Sequence, residues 1–289
     1  MNPIEVSDSQ FKSFTDCERK WAYAKLLGLS PDENKDTLIF GNAWHDGAEE
    51  FVKTGSMDKA HACTIASIIK DKPGNAEYQK LIVPAMLIGW ATHWLPGFLR
   101  EYEFVALEEW FSVEPNAEIV RIRGYKDVVS KRRDTGNRCV FDYKTSGDAY
   151  MRDLIATLSS NNQLARYATA ERRVIGSWPQ EVGLVFASKP KAKDPMVAAQ
   201  NARSDPGMYR HIVQQVTPQF AAFALAVEAN DVLVAQRMQA YQDMVAQHGP
   251  AALDYIPANF NNCFSYGKMC GFAQGCHSAC PAHTKLVRK

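Results

Sequence analysis

The sequence lacks an excess of charge of either sign. Its 33 lysines and arginines nearly balance 32 aspartates and glutamates, so the formal net charge of the 289 residues is only +1. A global basic field for nucleic acid is therefore excluded, and any nucleic-acid partner would have to be held by a local patch. With 46% hydrophobic and 22% charged residues, the composition is that of a globular protein able to bury a core.

Long apolar segments are also missing. The start, MNPIEVSDSQF, has no basic region followed by an apolar one, so we expect no signal peptide. The most apolar run, residues 81–95, contains Pro84 and His93 and is shorter than the roughly 20 residues of a membrane span. We interpret this run as a buried helix and expect a cytoplasmic protein without a membrane partner.

The spacing of apolar residues changes along the chain. Helical spacing comes first, and three runs rich in β-branched and aromatic residues follow, of which the last two are joined by KRRDTGN and predict a hairpin. Predicted helices cover 7–27, 38–54, 57–70, 78–103 (interrupted near Pro84 or Pro96), 150–173 and 217–247; predicted strands cover 104–114, 118–131, 137–145, 181–188 and 208–216; residues 189–207 are predicted to be a mobile linker. This order predicts an α/β fold with a central mixed β-sheet flanked by helices.

The run VFDYKTSG, residues 140–147, places an acid and a lysine at the end of a predicted strand. Side chains alternate along a strand, so Asp142 and Lys144 face the same way. The predicted hairpin can bring Asp127 beside Asp142, and two adjacent carboxylates repel each other unless a cation neutralises them. Mg²⁺ prefers hard oxygen ligands, and a neighbouring lysine can stabilise developing negative charge. Phosphodiester hydrolysis needs such a set, whereas a surface salt bridge is the simpler interpretation of Asp-x-Lys taken alone.

Several short motifs, in the same order along the chain, resemble those of the PD-(D/E)xK nuclease superfamily and of its RecB-like branch. They are SQFKSFTDCERKWAY at 9–23, GNAWH at 41–45 (similar to G-x-x-x-H), Asp127, Asp142-Tyr143-Lys144, and QLARY at 163–167 (similar to Q-L-x-x-Y). The resemblance extends over residues 7–280 and implies a restriction-endonuclease-like core in a single nuclease domain, residues 1–289. Its implied parts are a helical N-terminal part (1–103), an α/β catalytic core (104–216) and a C-terminal helix with a cysteine-rich tail (217–289).

The resemblance implies a role for each matched residue. Metal binding (Mg²⁺ or Mn²⁺) would fall to Asp127, Asp142, the Tyr143 carbonyl and His45; Lys144 would orient or activate the attacking water, and Gln163 and Tyr167 would position the substrate strand. Glu49, one helical turn after His45, could hold His45 or a metal-bound water. Arg166, Arg172 and Arg173 could add phosphate contacts or simply form a solvated face. One departure is Tyr125, which stands where the family often has an arginine.

Seven cysteines remain, and four of them lie in the tail: Cys263, Cys270, Cys276 and Cys280. In a reducing compartment clustered cysteines are more often metal ligands than disulfides, and four thiolates can hold Zn²⁺ or an iron–sulfur cluster. The tail spacings are x6, x5 and x3, and only the last, from Cys276 to Cys280, fits the C-x₂₋₄-C pairs usual in zinc ribbons. Cys63 and Cys139 are interpreted as small buried hydrophobes.

The AddB-type and CRISPR-associated nucleases that the chain resembles combine one early cysteine with three late ones around a [4Fe–4S] cluster. The resemblance therefore implies Cys17, Cys263, Cys270 and Cys276 as ligands, with Cys280 as the substitute for Cys276 or Cys263 and Zn²⁺ as the alternative metal. Such a cluster would join the N- and C-terminal segments, and its binding energy would become folding energy.

The leading hypothesis is a metal-dependent DNA exonuclease acting at DNA ends or in single strands. By resemblance we expect a role in phage or bacterial recombination, repair or spacer processing, with a helicase or recombination protein as a further partner. One alternative is a non-catalytic DNA-binding module with a structural iron–sulfur or zinc site. Another is a structural zinc protein in which the Asp-x-Lys occurs by chance.

Overall fold

A computed structural model of the chain describes residues 3–31, 35–259, 264–265, 268–269, 272 and 286–288. Its strands are β1 (Ile4–Val6), β2 (Leu29–Pro31), β3 (Tyr102–Asn116), β4 (Val120–Arg132), β5 (Arg138–Ser146), β6 (Glu181–Ser188), β7 (Tyr209–Gln215), β8 (Phe264–Ser265), β9 (Lys268–Met269) and β10 (Leu286–Arg288). Six of them form one sheet in the order β1-β4-β5-β6-β7, with β3 also paired to β4. Two further pairs, β2 with β10 and β8 with β9, are antiparallel.

The sheet is mixed because its strands run in both directions. β5 is antiparallel to β4, with Val128 opposite Phe141, and parallel to β6, with Asp142 opposite Leu184. β6 is antiparallel to β7 and is buried along its whole length, as a strand covered on both faces must be. The predicted α/β fold with a central mixed sheet flanked by helices is confirmed.

Helices precede, interrupt and follow the sheet. The α-helices are α1 (Asp8–Asp16), α2 (Glu18–Lys25), α3 (Asp36–Thr54), α4 (Met57–Asp71), α5 (Ala76–Gly89), α6 (Leu95–Glu101), α7 (Asp148–Ala156), α8 (Asn162–Ile175), α9 (Pro195–Ser204) and α10 (Pro218–His248). A π-helix covers Trp90–Trp94, and 3₁₀ turns cover Leu158–Ser160, Pro206–Met208 and Gly249–Tyr255.

A large apolar core joins α3, α5 and α9 to β5 and β6. Trp44 of α3, Trp90 after α5, and Phe141 and Tyr143 of β5 all lie in it with at most 2% of their surface exposed. Burying each of these side chains contributes about 1.5–3 kcal/mol or more. Helix α5 approaches α9 so closely that a Cβ on Gly89 would lie 2.0 Å from a backbone oxygen of α9, so no larger residue fits there.

The chain divides into two compact units. One contains Met1–Glu33, Ser112–Gly124 and Ala226–Lys289, and the other contains Asn34–Phe111 and Tyr125–Leu225. In the first, Phe14 and Trp21 meet edge to face with ring centroids 5.1 Å apart. The second contains the large core and every candidate site residue except the cysteines of the proposed cluster. The organisation as one nuclease domain with parts 1–103, 104–216 and 217–289 stays a prediction.

The N-terminal segment is not the single helix that was predicted for 7–27. It breaks at Cys17, whose backbone is extended (φ −166°, ψ 112°). The Cys17 N–H donates to Ser13 O at 3.1 Å, and the Cys17 carbonyl accepts from Trp21 N at 3.0 Å. This residue therefore ends α1 and caps α2 at once, which helical periodicity cannot reveal because the apolar face continues across the break.

Two further predictions are wrong in detail. The helix expected over 150–173 is interrupted before Asn161, whose side chain accepts from Leu164 N at 3.0 Å and starts α8. The linker expected over 189–207 contains α9, which Asp194 caps in the same way. The buried face of α9 consists of Ala198, Ala199 and Ala202, and such small side chains give a weak hydrophobic signal.

The apolar run of residues 81–95 lies within the continuous helical segment Ala76–Glu101, which is long and apolar enough to cross a membrane. Of its most apolar window, 56% is buried inside the protein, and a core helix of a soluble protein has the same length and composition. Pro84 lies within α5. The helical segment continues past both prolines, and its hydrogen bonding changes to a π-helix over Trp90–Trp94, between them, so the predicted interruption is a change of helix type and not a break.

Candidate active site

The carboxyl end of β5 presents the acid–lysine pair. Asp142 is only 2% exposed, and its Oδ2 forms an ion pair with Lys144 Nζ. Its Oδ1 accepts hydrogen bonds from Gln163 Nε2 at 2.8 Å and from Tyr167 Oη at 3.2 Å. Both partners project from one face of α8, and Gln163 Nε2 also lies 3.1 Å from Tyr167 Oη. Three side chains therefore hold the Asp142 carboxylate in one orientation.

Asp127 reaches the same place from β4. Its Oδ2 accepts the backbone N–H of Tyr143 at 2.7 Å, and His45 Nδ1 lies 3.6 Å from the same oxygen. Burial and then the charge of Asp142 raise the pKa of Asp127 well above its usual value. The two acids that the sequence placed on neighbouring strands are thus close enough to repel each other, which favours a bound cation.

His45 comes from α3. This helix can pack against the end of β5 because Gly41 has no side chain, and a Cβ there would already lie 3.3 Å from Thr145 Oγ1. One turn later the His45 ring meets the rings of Trp44 and Tyr143, with centroids 5.8 and 5.6 Å away. Burial lowers the pKa of His45 to about 4, so its imidazole is neutral near pH 7 and keeps a lone pair for a metal.

Glu108 of β3 completes the cluster, and sequence reasoning missed it. Its φ of 48° is in the left-handed region, where a non-glycine residue costs on the order of 1–3 kcal/mol and is often found at functional sites. Burial, followed by the charges of Glu49 and Asp46, raises the pKa of Glu108 to about 7. The signal that could have indicated Glu108 from the sequence is the pair of successive glutamates within the otherwise apolar strand FVALEEWF.

Among the described residues, His45, Glu108 and Asp127 form a group able to hold a metal ion, since one ligand atom from each lies within 4.8 Å of the others. An imidazole nitrogen and two carboxylates suit Mg²⁺ or Mn²⁺. The raised pKa values of Glu108 and Asp127 show that the cations of the protein do not balance the negative charge of these buried acids. The donor set therefore fits a divalent cation, with Asp142 beside it. Metal binding by Asp142 and by the Tyr143 carbonyl stays a prediction.

Other residues singled out from the sequence have different surroundings. The carboxylate of Glu49 pairs with Lys53, one turn further along α3, instead of with His45. Arg166 is 7% exposed, which leaves little surface for a phosphate contact. Arg172 lies over the ring of Trp178, 4.8 Å from its centroid.

A second charge cluster lies directly next to the first and was not expected from the sequence. Lys126 is fully buried and forms ion pairs with Glu109 and, at 2.6 Å, with Glu171. Arg138 also pairs with Glu171. Because Glu171 follows Tyr167 by one turn of α8, these ion pairs tie the helix that holds Asp142 to strands β4 and β5.

Of the proposed cluster ligands, only Cys17 belongs to the described residues. Its thiol is buried, and Sγ accepts the backbone N–H of Asn259 at 3.4 Å. Cys263, Cys270, Cys276 and Cys280 lie outside the described residues. Cys139 is buried, as expected, while Cys63 is partly exposed.

The fold and the site together define a class of protein: a mixed sheet flanked by helices, with acids, a histidine and a lysine converging at the end of a central strand. Comparison with known families agrees, because the sequence matches the model of the PD-(D/E)XK nuclease superfamily over residues 5–277. The chain belongs to this superfamily. A comparison with curated proteins found no significant match. Membership implies a nuclease with DNA as its substrate, and such nucleases typically use divalent metals.

Proposed function

We propose that the protein is an exonuclease of the RecB-like, AddB-type branch, which hydrolyses DNA at ends or in single strands with Mg²⁺ or Mn²⁺. The observation that carries this proposal is the convergence of His45, Glu108, Asp127 and Asp142 beside Lys144. Recombination, repair or spacer processing is the proposed setting, with a helicase or recombination protein as the proposed partner. The motif order from GNAWH to QLARY supports this branch.

His45, Glu108 and Asp127, with Asp142 beside them, would hold the cation. When bound, a divalent cation polarises phosphoryl oxygens and lowers the pKa of a coordinated water. Neutral His45 is ready to donate its lone pair, and the crowded carboxylates gain from binding because their mutual repulsion falls.

Lys144 would act on the reacting groups themselves. Its ammonium is held at the Asp142 carboxylate, where it can orient the attacking water or stabilise the charge that develops on the phosphate. Gln163 and Tyr167 fix the carboxylate through Oδ1, which leaves Oδ2 to Lys144. A fixed carboxylate positions the lysine, and errors of about 1 Å in such positions can cost 100-fold in rate.

The protein is further proposed to bind a [4Fe–4S] cluster through Cys17, Cys263, Cys270 and Cys276, with Cys280 as the substitute ligand and Zn²⁺ as the alternative metal. Two contacts of the first unit support it. Asn259, four residues before Cys263, lies at Cys17 Sγ, and four residues span at most about 14 Å. Phe272, two residues after Cys270, stacks on Tyr23 of α2 with centroids 5.6 Å apart. Both contacts bring the tail to the N-terminal helices.

End-labelled single-stranded, duplex and circular DNA would test the nuclease proposal, each with Mg²⁺, Mn²⁺ and chelator. Lys144→Ala should lose cleavage, whereas Lys131→Ala, an exposed lysine on β4, should keep it. Cleavage of linear but not circular DNA would support the exonuclease. Folded wild-type protein that binds DNA without cutting it would favour the non-catalytic DNA-binding module.

Iron, sulfide and zinc analysis would test the cluster. We expect iron and sulfide in the wild type, loss of both in Cys17→Ser, and retention in the matched variant Cys63→Ser. Cys17→Ser should also lower the unfolding temperature, because cluster binding contributes to folding. One zinc per chain and no iron would select the alternative metal, and neither metal in any preparation would reject the site.

A further inference from the structure

Two large aromatic side chains on the sheet are in contact with each other and half exposed to solvent. Trp110 of β3 is 50% exposed and Tyr125 of β4 is 53% exposed. Their ring centroids are 4.9 Å apart at an interplanar angle of 62°. Both belong to the unit that contains the candidate active site.

The aromatic pair is the outermost of three successive pairs formed by β3 and β4. Moving along both strands, Trp110 contacts Tyr125, and the next residues, Glu109 and buried Lys126, form an ion pair. One residue further, Glu108 and Asp127 are both members of the candidate metal group. The exposed rings therefore lie two residues from the acids on each strand, a rise of about 7 Å.

This distance fits the substrate of the proposed nuclease. Stacked bases rise by about 3.4 Å each, so 7 Å reaches a base one or two nucleotides from a phosphate held at the acids. Successive bases of single-stranded DNA bind to proteins by stacking on aromatic side chains, and any base can do so because each has a π-face. An aromatic cross-strand pair would also stabilise two strands, but that role does not need rings that are half exposed.

We propose that Trp110 and Tyr125 form a stacking platform for a base of the DNA strand, one or two nucleotides from the phosphodiester that is cut. The inference rests on the proposed function and deepens it, since a base can stack on protein rings only after it leaves its own duplex. The platform therefore makes the enzyme prefer single-stranded or frayed ends. Stacking uses the faces of the rings and needs no positive charge on the platform itself.

Digestion of a labelled single strand containing one abasic site tests the platform with the wild-type protein alone. As digestion advances, the enzyme should pause at a fixed register, one or two nucleotides from the abasic site, because no base can then occupy the platform. We expect the cleavage rate at that position to fall by about 5- to 140-fold, the range expected for loss of one base–aromatic stack.

Substitutions of Trp110 then test whether the pause depends on the aromatic rings of the platform. Trp110→Ala should slow cleavage of the intact strand by a similar factor and abolish the additional pause at the abasic site, since the stack is already missing. Trp110→Phe should restore both behaviours. Tyr255→Ala, which removes an 81% exposed tyrosine of the other unit, is the matched control and should behave as wild type.

The outcomes separate this inference from the proposed function. If the wild type digests DNA without any pause at a fixed distance from the abasic site, the platform is wrong and the nuclease stands. A pause that persists in full in Trp110→Ala also overturns the platform. If the folded, metal-supplied wild type digests no DNA, the proposed function fails, and the platform fails with it.

Discussion

Glu108 and Glu109 are adjacent residues of β3, yet their carboxylates lie in opposite electrostatic surroundings. Burial alone would raise the pKa of Glu109, but Lys126 and Arg138 hold it below its usual value. Burial and neighbouring acids raise the pKa of Glu108 to about 7. Glu109 therefore lies in a cluster rich in cations, whereas Glu108, whose backbone is left-handed, lies in a cluster rich in anions.

The same division appears on β4. Buried Lys126 belongs to a cluster in which acids and cations balance, here called the compensated cluster (Glu109, Lys126, Arg138 and Glu171). Asp127 belongs to the cluster with excess acid, here called the undercompensated cluster (His45, Glu108, Asp127, Asp142 and Lys144). In the compensated cluster the chain supplies the cations that its carboxylates need, so these ion pairs stabilise the fold. In the undercompensated cluster, Lys144 pairs with Asp142, while Glu108 and Asp127 retain raised pKa values. Crowded carboxylates that the chain leaves uncompensated favour a bound cation, so we expect this cluster to gain stability when a cation binds.

Removing the central lysine of the compensated cluster should have the largest effect on stability. Lys126→Met removes one of the two cations that Glu109 and Glu171 share, Arg138 being the other, and breaking a buried pair in this way costs about 3–5 kcal/mol. Urea unfolding would measure the loss. The exposed Lys131→Met on the same strand should change the free energy of unfolding by less than about 0.5 kcal/mol. If the two variants were equally stable, the cluster would have no structural role.

Removing an acid of the undercompensated cluster should affect activity instead. Asp127→Asn keeps an oxygen for the Tyr143 N–H but loses the charge, and we expect cleavage to fall at least about 100-fold, or about 2.7 kcal/mol. Its unfolding temperature without metal should equal or exceed that of the wild type, because a repelled charge has gone. A large loss of stability in this variant would show that the two clusters are of the same kind.

Metal ions should stabilise the protein only through the undercompensated cluster, which contains the candidate metal group His45, Glu108 and Asp127. At ten times its dissociation constant, Mn²⁺ or Mg²⁺ should raise the free energy of unfolding of the wild type by about 1.4 kcal/mol. Glu108→Gln should reduce this increment, since it removes a carboxylate of the candidate metal group. Thermal unfolding over a metal titration would measure it. Equal increments in both proteins would remove Glu108 from the metal site.

The smallest expected effect comes from the Tyr167 hydroxyl, which contacts the undercompensated cluster through Asp142. Tyr167→Phe removes one hydrogen bond to Asp142 Oδ1, while Gln163 keeps the other. A single hydrogen bond contributes about 0.5–1.5 kcal/mol, so the cleavage rate should fall about 2- to 10-fold. Tyr255→Phe is the exposed control. A loss as large as that of Asp127→Asn would mean that the hydroxyl acts on the substrate directly.

Much of this site follows from short-range regularities. Strand alternation placed Asp142 and Lys144 on one side, and the helical repeat placed Gln163 and Tyr167 one turn apart, and the structure agrees on both. A predicted hairpin was enough to bring Asp127 near Asp142. Each of these inferences needed only the geometry of a single element or of two strands joined by a turn.

Glu108 and Lys126 could not be found in this way. Glu108 joins the site through a left-handed φ of 48° and through burial near the charges of Glu49 and Asp46 of α3, neither of which is written in the local pattern. Lys126 resembles any surface lysine until Glu109 and Glu171, from β3 and α8, are folded against it. Both depend on contacts between residues far apart in the chain.

The order of the motifs, the α/β class and the acid–lysine pair were thus contained in the amino-acid sequence, because side-chain periodicity and turn residues act over a few positions. The sorting of charges into a compensated and an undercompensated cluster arose only on folding. Burial and long-range pairing set the pKa of each carboxylate, and two neighbouring glutamates of the same chemistry became, for that reason, a structural anchor and a candidate metal ligand.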